Sequence, residues 1–238
     1  MRDKTLKIVK FSSEEEGLIY YAKDDINLAD VVSDFKKGYL QASKFFNAKI
    51  PKIKLILVYS RKELDNLFGH QTPDWFVGYA NSSNEIFILS PSVWKQESSH
   101  SRNEFNKTLC HEIAHVFTRR INKSCEPMWF NEGLACVVAK QKIKLQKDSK
   151  LNLYNPNIMF FLDSKKNWEQ TIAKEPGMPY VVSFMLVDFL IRRFGKQKIF
   201  QLLTGFNEKY NKRKFCQKFE GVYRKSIGRV VKEFLAIQ

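Results

Sequence analysis

The chain has 238 residues, of which 44% are hydrophobic and 14% aromatic, so it can bury a sizeable core as one globular domain over residues 1–238. The formal net charge is +15, but the basic residues are scattered and lie in no recognisable nucleic-acid module, so we do not expect nucleic acid as the partner. No apolar run reaches the roughly 18 residues of a membrane span, and no secretory signal is visible. The four cysteines fit neither zinc knuckles nor a disulfide framework, so a cytoplasmic protein with reduced thiols is expected.

The first half of the chain contains all the predicted strands, with two predicted helices among them. Strand patterns cover 6–11 and 18–21 on either side of a polar turn at 12–17, then 53–59, 75–79 and 85–89. Helical periodicity covers 27–46 and 62–67, the second after a capping serine, Ser60. The turn residues 81–84 predict that the last two strands form a hairpin, and we expect its second strand at an edge of the sheet.

The second half of the chain is almost wholly helical in pattern. Ser101 is a plausible helix start, and helices are expected at about 103–120, 127–141, 179–194, 196–205 and 227–236. Strands first and helices second is the order of an α+β protein. We therefore expect an N-terminal lobe, 1–120, with a mixed sheet and helices, and a mostly helical lobe, 121–238, with a cleft between them.

The segment His111-Glu112-Ile113-Ala114-His115 carries two imidazoles four residues apart, which places them on one helix face where they can share a metal ion. At about 100° per residue, the histidines fall near 200° and 240° from Leu109. The apolar residues within about 80° of Leu109 are Phe105, Ile113, Val116 and Phe117. The histidines therefore lie opposite the core stripe of the helix.

A third candidate ligand, Glu132, lies on the next predicted helix and also points away from the apolar residues of that helix. Two histidines, one carboxylate and a position left for water form the usual catalytic zinc arrangement, whereas structural zinc is closed by four ligands rich in cysteine. The sequence thus predicts one Zn²⁺ per chain, held by His111, His115 and Glu132, with Glu112 as general base.

The pairing of H-E-x-x-H with Trp129-Phe130-Asn131-Glu132-Gly133-Leu134-Ala135 resembles the gluzincin superfamily, in particular the zinc aminopeptidase branch, and implies a zincin-like fold. The segment 178–190 resembles the P-Y-x-x-G-x-x-x-L-x-x-L helix that carries the catalytic tyrosine of that branch. By this resemblance Tyr180 becomes the candidate donor to the oxyanion.

Two departures from that branch bear on specificity. Sixteen residues separate His115 from Glu132 where the aminopeptidases have eighteen. Their G-x-M-E-N motif, which holds the free amine of a substrate, is absent, and the nearest counterpart is 78–81. Endopeptidase and exopeptidase action both stay open.

The sequence therefore predicts a zinc-dependent metallopeptidase that acts on a peptide or protein substrate, which could add as a strand along the sheet edge. Two alternatives stay open at this stage. One is a catalytically degenerate zincin that serves as a binding module. The other is a basic protein that binds nucleic acid or anionic surfaces. The oligomeric state is not predicted.

Overall fold

The computed structural model describes residues 7–10, 17–22, 26–49, 52–81, 84–123, 127–141, 164–174, 177–204 and 210–237. The predicted α+β class is confirmed, with a five-stranded mixed sheet followed by helices. The chain divides into two compact units, Met1–Phe117 and Thr118–Gln238. In the described part of the chain, none of the helices is long and apolar enough to cross a membrane.

The first unit contains the sheet. Its strands are β1 (Lys7–Lys10), β2 (Gly17–Tyr21), β3 (Ile53–Val58), β4 (Gly78–Ala80) and β5 (Glu85–Leu89). They lie in the order β1-β2-β3-β5-β4, in which β2, β3 and β5 run parallel and the outer strands β1 and β4 are antiparallel to their neighbours. The central strand β3 buries Ile53, Leu55 and Leu57 because alternate side chains of a strand point to one face.

Helices α1 (Leu28–Phe46), α2 (Arg61–Phe68) and α3 (Trp94–Glu97) belong to the first unit, and α4 (Phe105–Ile121) begins there. The expected caps are present. Ser60 Oγ accepts a hydrogen bond from the Glu63 amide, 3.1 Å away, and Ser101 forms a capping box with Glu104 just before α4. The Ser60 cap fixes the start of α2, and the Ser101 capping box fixes the start of a short 3-10 helix, Arg102–Glu104, that leads into α4.

Helix α1 packs closely on α4. At Gly38 a Cβ atom would lie only 3.2 Å from the Cα of Cys110, and the rings of Tyr39 and Phe117 meet edge to face with centroids 5.6 Å apart. The core stripe predicted for α4 is confirmed, since Leu109 and Ile113 are fully buried. One face of α4 is thereby held in place, and the other face is the one that carries His111.

The second unit is helical in its described residues. Its helices are α5 (Met128–Ala139), α6 (Lys165–Lys174), α7 (Met178–Phe194), α8 (Lys196–Leu203), α9 (Lys212–Tyr223) and α10 (Ile227–Leu235). Helix α5 packs against α7 so closely at Gly133 that a Cβ atom there would lie 2.6 Å from the carbonyl carbon of Ser183. Phe215, Phe219 and Phe234 pack in the core of this unit, and each is nearly inaccessible.

The predicted hairpin is confirmed, but the prediction that its second strand lies at the edge of the sheet is wrong. Strand β4 pairs antiparallel with β5, but β5 also pairs with β3, so the first strand of the hairpin is the edge strand and the second is internal. The predicted strand at 75–79 is shortened to begin at Gly78. The backbone carbonyls of Asp74 and Phe76 instead accept hydrogen bonds from the Arg61 guanidinium, which keeps them out of the sheet ladder.

Some helices were not predicted, and some predictions cannot be compared with the structure. The helices α3, α6 and α9 were absent from the predicted set. The predicted turn at 12–17 lies outside the described residues except for Gly17, and the ends of the strand predicted at 6–11, the middle of the turn at 81–84, and Cys125 lie outside them as well.

Candidate metal centre

His111 and His115 lie one helical turn apart on α4, and their rings converge. The two Nε2 atoms are 3.0 Å apart, and the ring centroids are separated by 4.7 Å. Zinc to imidazole bonds of about 2.0–2.1 Å in a tetrahedral site place two ligand nitrogens roughly 3.3 Å apart. The observed separation is close to that value, so one ion can be bound by both nitrogens after a small adjustment.

Both histidines are buried, with 7% of His111 and 6% of His115 exposed. Burial of neutral polar rings is costly unless each ring finds a partner. A metal ion between the two Nε2 atoms would be a further partner for both rings.

Glu132 lies on α5, a helix that is buried along almost its whole length. Only 8% of the residue is exposed. The neighbouring Gly133 allows α5 to approach the backbone of Ser183 in α7, and this contact fixes how closely α5, the helix that carries Glu132, packs on α7. The local packing of α5 therefore holds the carboxylate at a defined position in the second unit.

The structure brings together the three side chains that the sequence selected as ligands. One ligand atom from each of His111, His115 and Glu132 lies within 4.8 Å of the other two. Among the described residues, these three form the group of histidine, cysteine, aspartate and glutamate side chains that is compact enough to hold an ion. Two imidazole nitrogens and one carboxylate oxygen suit zinc, and three protein ligands leave a coordination position open.

Glu112 is buried like its neighbours, with 8% exposed, but it does not belong to the compact group of ligand atoms. Its side chain instead lies beside Gly78 on strand β4. A carboxylate near a metal site but outside its ligand set is available to accept a proton. The role of Glu112 as general base stays a prediction.

A further buried polar atom lies next to the ligand carboxylate in sequence. The Oδ1 atom of Asn131 is inaccessible and has no hydrogen-bond partner among the described residues. A buried acceptor without a partner is uncommon and is found at sites that receive an additional group. Sequence analysis noted Asn131 as part of the W-F-N-E-G-L-A motif but assigned it no role.

Tyr180 is half-buried in the first turn of α7, and its ring meets Trp168 of α6 edge to face with centroids 5.3 Å apart. This contact holds the ring at the start of its helix. The oxyanion role of Tyr180 stays a prediction.

Sequence analysis missed the part played by two glycines. Gly78 gives room to the Glu112 side chain, and Gly133 gives room to the backbone of Ser183. The sequence did contain a signal, because Gly78 lies inside a predicted strand and Gly133 inside a predicted helix. A glycine at such a position often marks the close approach of another group. The identity of that other group depends on the tertiary structure.

An α+β fold with a buried group of two histidines and a glutamate defines a class of protein with a centre able to bind a metal ion. Comparison with known families makes this more specific. The model of the Peptidase MA superfamily matches residues 49–224, which include the whole of α4, α5 and α7. The chain belongs to the Peptidase MA superfamily.

Among curated proteins, the chain is similar to YhcO of Bacillus subtilis (strain 168), which is described as an uncharacterized protein. The two are 20% identical over 235 residues, which cover 95% of this chain and 67% of YhcO. The similarity extends over nearly the whole of this chain and carries no information on activity. The family therefore indicates a hydrolase of the peptidase type, without naming a substrate.

Proposed function

We propose that the protein is a zinc-dependent metallopeptidase of the gluzincin type. His111, His115 and Glu132 hold one zinc ion, and Glu112 is the general base. The observation that carries this proposal is the compact, buried group of two imidazoles and one carboxylate, with ligand atoms within 4.8 Å of one another. Membership of the Peptidase MA superfamily supports the same reaction class.

Zinc bound in this way, with one coordination position open, lowers the pKa of water towards about 7 and polarises a carbonyl. The chain's own residues carry out the proton transfers. Glu112 accepts a proton from the attacking water at its carboxylate and returns that proton to the leaving amine. Its burial keeps the carboxylate away from bulk water, so that the proton is passed within the site.

Tyr180 is proposed as the donor that stabilises the oxyanion, by resemblance to the tyrosine of the zinc aminopeptidase branch. Its phenol hydroxyl can donate one hydrogen bond, and the contact with Trp168 limits the movement of the ring. A preorganised donor loses little energy in reorientation when charge develops on the substrate. The substrate is proposed to be a peptide or protein.

Metal content and hydrolysis, measured on the same variants, test this function. The wild type, prepared without chelators and supplied with zinc, should contain about one zinc per chain by elemental analysis. His115→Ala should lose zinc. Glu112→Gln is the matched control because it keeps the side-chain shape; it should retain zinc and lose roughly 10²-fold or more of the hydrolysis of a fluorogenic peptide library.

Two results would contradict the proposal. A wild-type protein that binds no zinc would refute the ligand assignment. A zinc-loaded wild type that cleaves no peptide faster than Glu112→Gln would refute the peptidase assignment and leave a metal-binding module as the better description.

A further inference from the structure

Glu112 and Gly78 lie in direct contact, one on helix α4 and the other on edge strand β4. A Cβ atom added to Gly78 would lie 3.2 Å from the Cγ atom and 3.4 Å from the Oε1 atom of Glu112. The side chain of Ile88 on β5 would be 3.4 Å away. The first of these distances is shorter than a comfortable carbon–carbon contact of about 3.5–4.0 Å, so the Glu112 side chain occupies the space that a larger residue at position 78 would need.

The backbone conformation does not explain the glycine at this position. Among the described glycines, only Gly69 and Gly195 have a positive φ angle, and any residue can adopt the extended conformation of Gly78. Glycine inside a strand also weakens the strand, because it has no side chain to pack and loses more entropy on folding. The reason for glycine here is therefore the space that it leaves to Glu112.

The strand cannot easily move away from Glu112. Gly78 pairs with Ile88 in the antiparallel register, and the Leu89 amide donates a hydrogen bond to the Val77 carbonyl at 2.8 Å. The segment before the strand is held by Arg61, whose guanidinium donates to the carbonyls of Asp74 and Phe76. Since the backbone of β4 is fixed on both sides, the flexible end of Glu112 is the part that would yield.

We propose that Gly78 is a positioning residue that sets the location of the Glu112 carboxylate. It does not touch the reacting atoms. Its missing side chain lets the carboxylate lie against the edge strand, and a larger residue would displace that carboxylate by a few tenths of an ångström or more. The catalytic consequence rests on the proposed function, in which Glu112 is the base and must be placed accurately to accept a proton.

The kinetic test uses Gly78→Ala and Gly78→Val, with Gly221→Ala as matched control. A Cβ atom at Gly221, in the last turn of α9, would meet nothing within 4 Å. We expect kcat to fall about 10-fold for Gly78→Ala and on the order of 10²-fold for Gly78→Val, with KM and zinc content unchanged. Gly221→Ala should leave kcat unchanged. An effect of Gly78→Ala on KM alone would overturn the proposal, because it would indicate contact with the substrate.

A double-mutant cycle identifies the group through which Gly78 acts. In the Glu112→Gln background, Gly78→Ala should cause no further loss of the residual rate, because there is no longer a base to displace. If Gly78→Ala lowers the residual rate as much in that background as in the wild type, Gly78 acts independently of Glu112 and the proposal is wrong.

A second cycle measures the same contact without any catalysis. In the Glu112→Ala background, where the space beside Gly78 is open, Gly78→Ala should raise the melting temperature by roughly 1–3 °C. In the wild-type background the gain should be smaller or absent, because the new Cβ atom crowds Glu112. If Gly78→Ala changes the melting temperature equally in both backgrounds, Glu112 does not lie against Gly78 and the proposal is wrong. Unequal shifts in a protein that hydrolyses no peptide would support that placement and refute the peptidase function instead.

Discussion

Substitution of Gly133 by alanine should destabilise the protein through one identifiable contact. A Cβ atom at this position would lie 2.6 Å from the carbonyl carbon of Ser183, closer still to its oxygen, and 2.8 Å from Cγ2 of Val187. Two of the three atoms belong to the backbone of α7, so no side-chain rotation can relieve the overlap. Helix α5 or α7 must shift by about 1 Å to restore ordinary contact distances.

The magnitude follows from two opposed effects. Alanine is the better helix former by about 1 kcal/mol, which favours the variant. Overpacking a rigid contact costs typically 1–3 kcal/mol and occasionally more, and a backbone neighbour places Gly133→Ala at the upper end of that range. We expect a net loss of about 2 kcal/mol, which corresponds to a fall in melting temperature of roughly 4–8 °C for a chain of this size.

Thermal unfolding followed by circular dichroism measures this loss, and Gly221→Ala again provides the matched control. With open space around its Cβ atom, that variant should be as stable as the wild type or more stable by up to about 1 kcal/mol. Because Glu132 precedes Gly133, the shift of α5 should also weaken zinc binding. A Gly133→Ala variant that melts with the wild type and binds zinc equally well would refute the close approach of α5 and α7.

Two further predictions concern other parts of the chain. Tyr180→Phe should lower kcat on the order of 10²-fold, while KM and zinc content stay unchanged. Full activity of this variant in steady-state assays would show that Tyr180 only packs against its neighbours. The pKa of Glu85 lies below its usual value because Asn81 donates a hydrogen bond to its carboxylate and Lys54 does so from 3.1 Å. The ionised Glu85 therefore stabilises the folded protein at pH values above about 4.5, the pKa of the group in the unfolded chain. This stabilisation is lost as the pH falls through the lower pKa of the folded protein. Glu85→Gln should cost about 0.5 kcal/mol in urea unfolding at pH 7, since the pair is partly exposed, and the cost should shrink as the pH falls and the carboxylate is protonated. A cost that does not change with pH would show that charge is not involved.

The sequence was sufficient to select the members of the candidate centre. His111 and His115 are four residues apart on one helix, so their convergence follows from helix geometry alone. The observed 3.0 Å between their Nε2 atoms agrees with that local argument. Glu132 was selected by motif and by helix face, and the structure places its carboxylate in the compact group.

The edge of the sheet could not be predicted because strand order depends on non-local pairing. Alternating side chains identify a strand, and turn residues identify a hairpin, but neither indicates which strand of the hairpin meets β3. Similarly, the apolar residues near Trp75 have the composition of a strand. They lie outside the ladder because Arg61, distant in sequence, binds the backbone carbonyls beside them.

The parts of the site that escaped prediction share one physical feature, the absence of a side chain. Gly78 leaves space for the Glu112 carboxylate, and Gly133 leaves space for the backbone behind Glu132. Sequence patterns report which chemical groups are present, whereas these two positions matter because a group is missing. A centre that must hold a base and a ligand within a few tenths of an ångström depends on such close contacts, since a rigid neighbour at short range restricts a flexible carboxylate more than a distant one. In the proposed centre, Gly78 sets the position of the Glu112 carboxylate, and Gly133 sets how closely α5, the helix that carries Glu132, approaches α7.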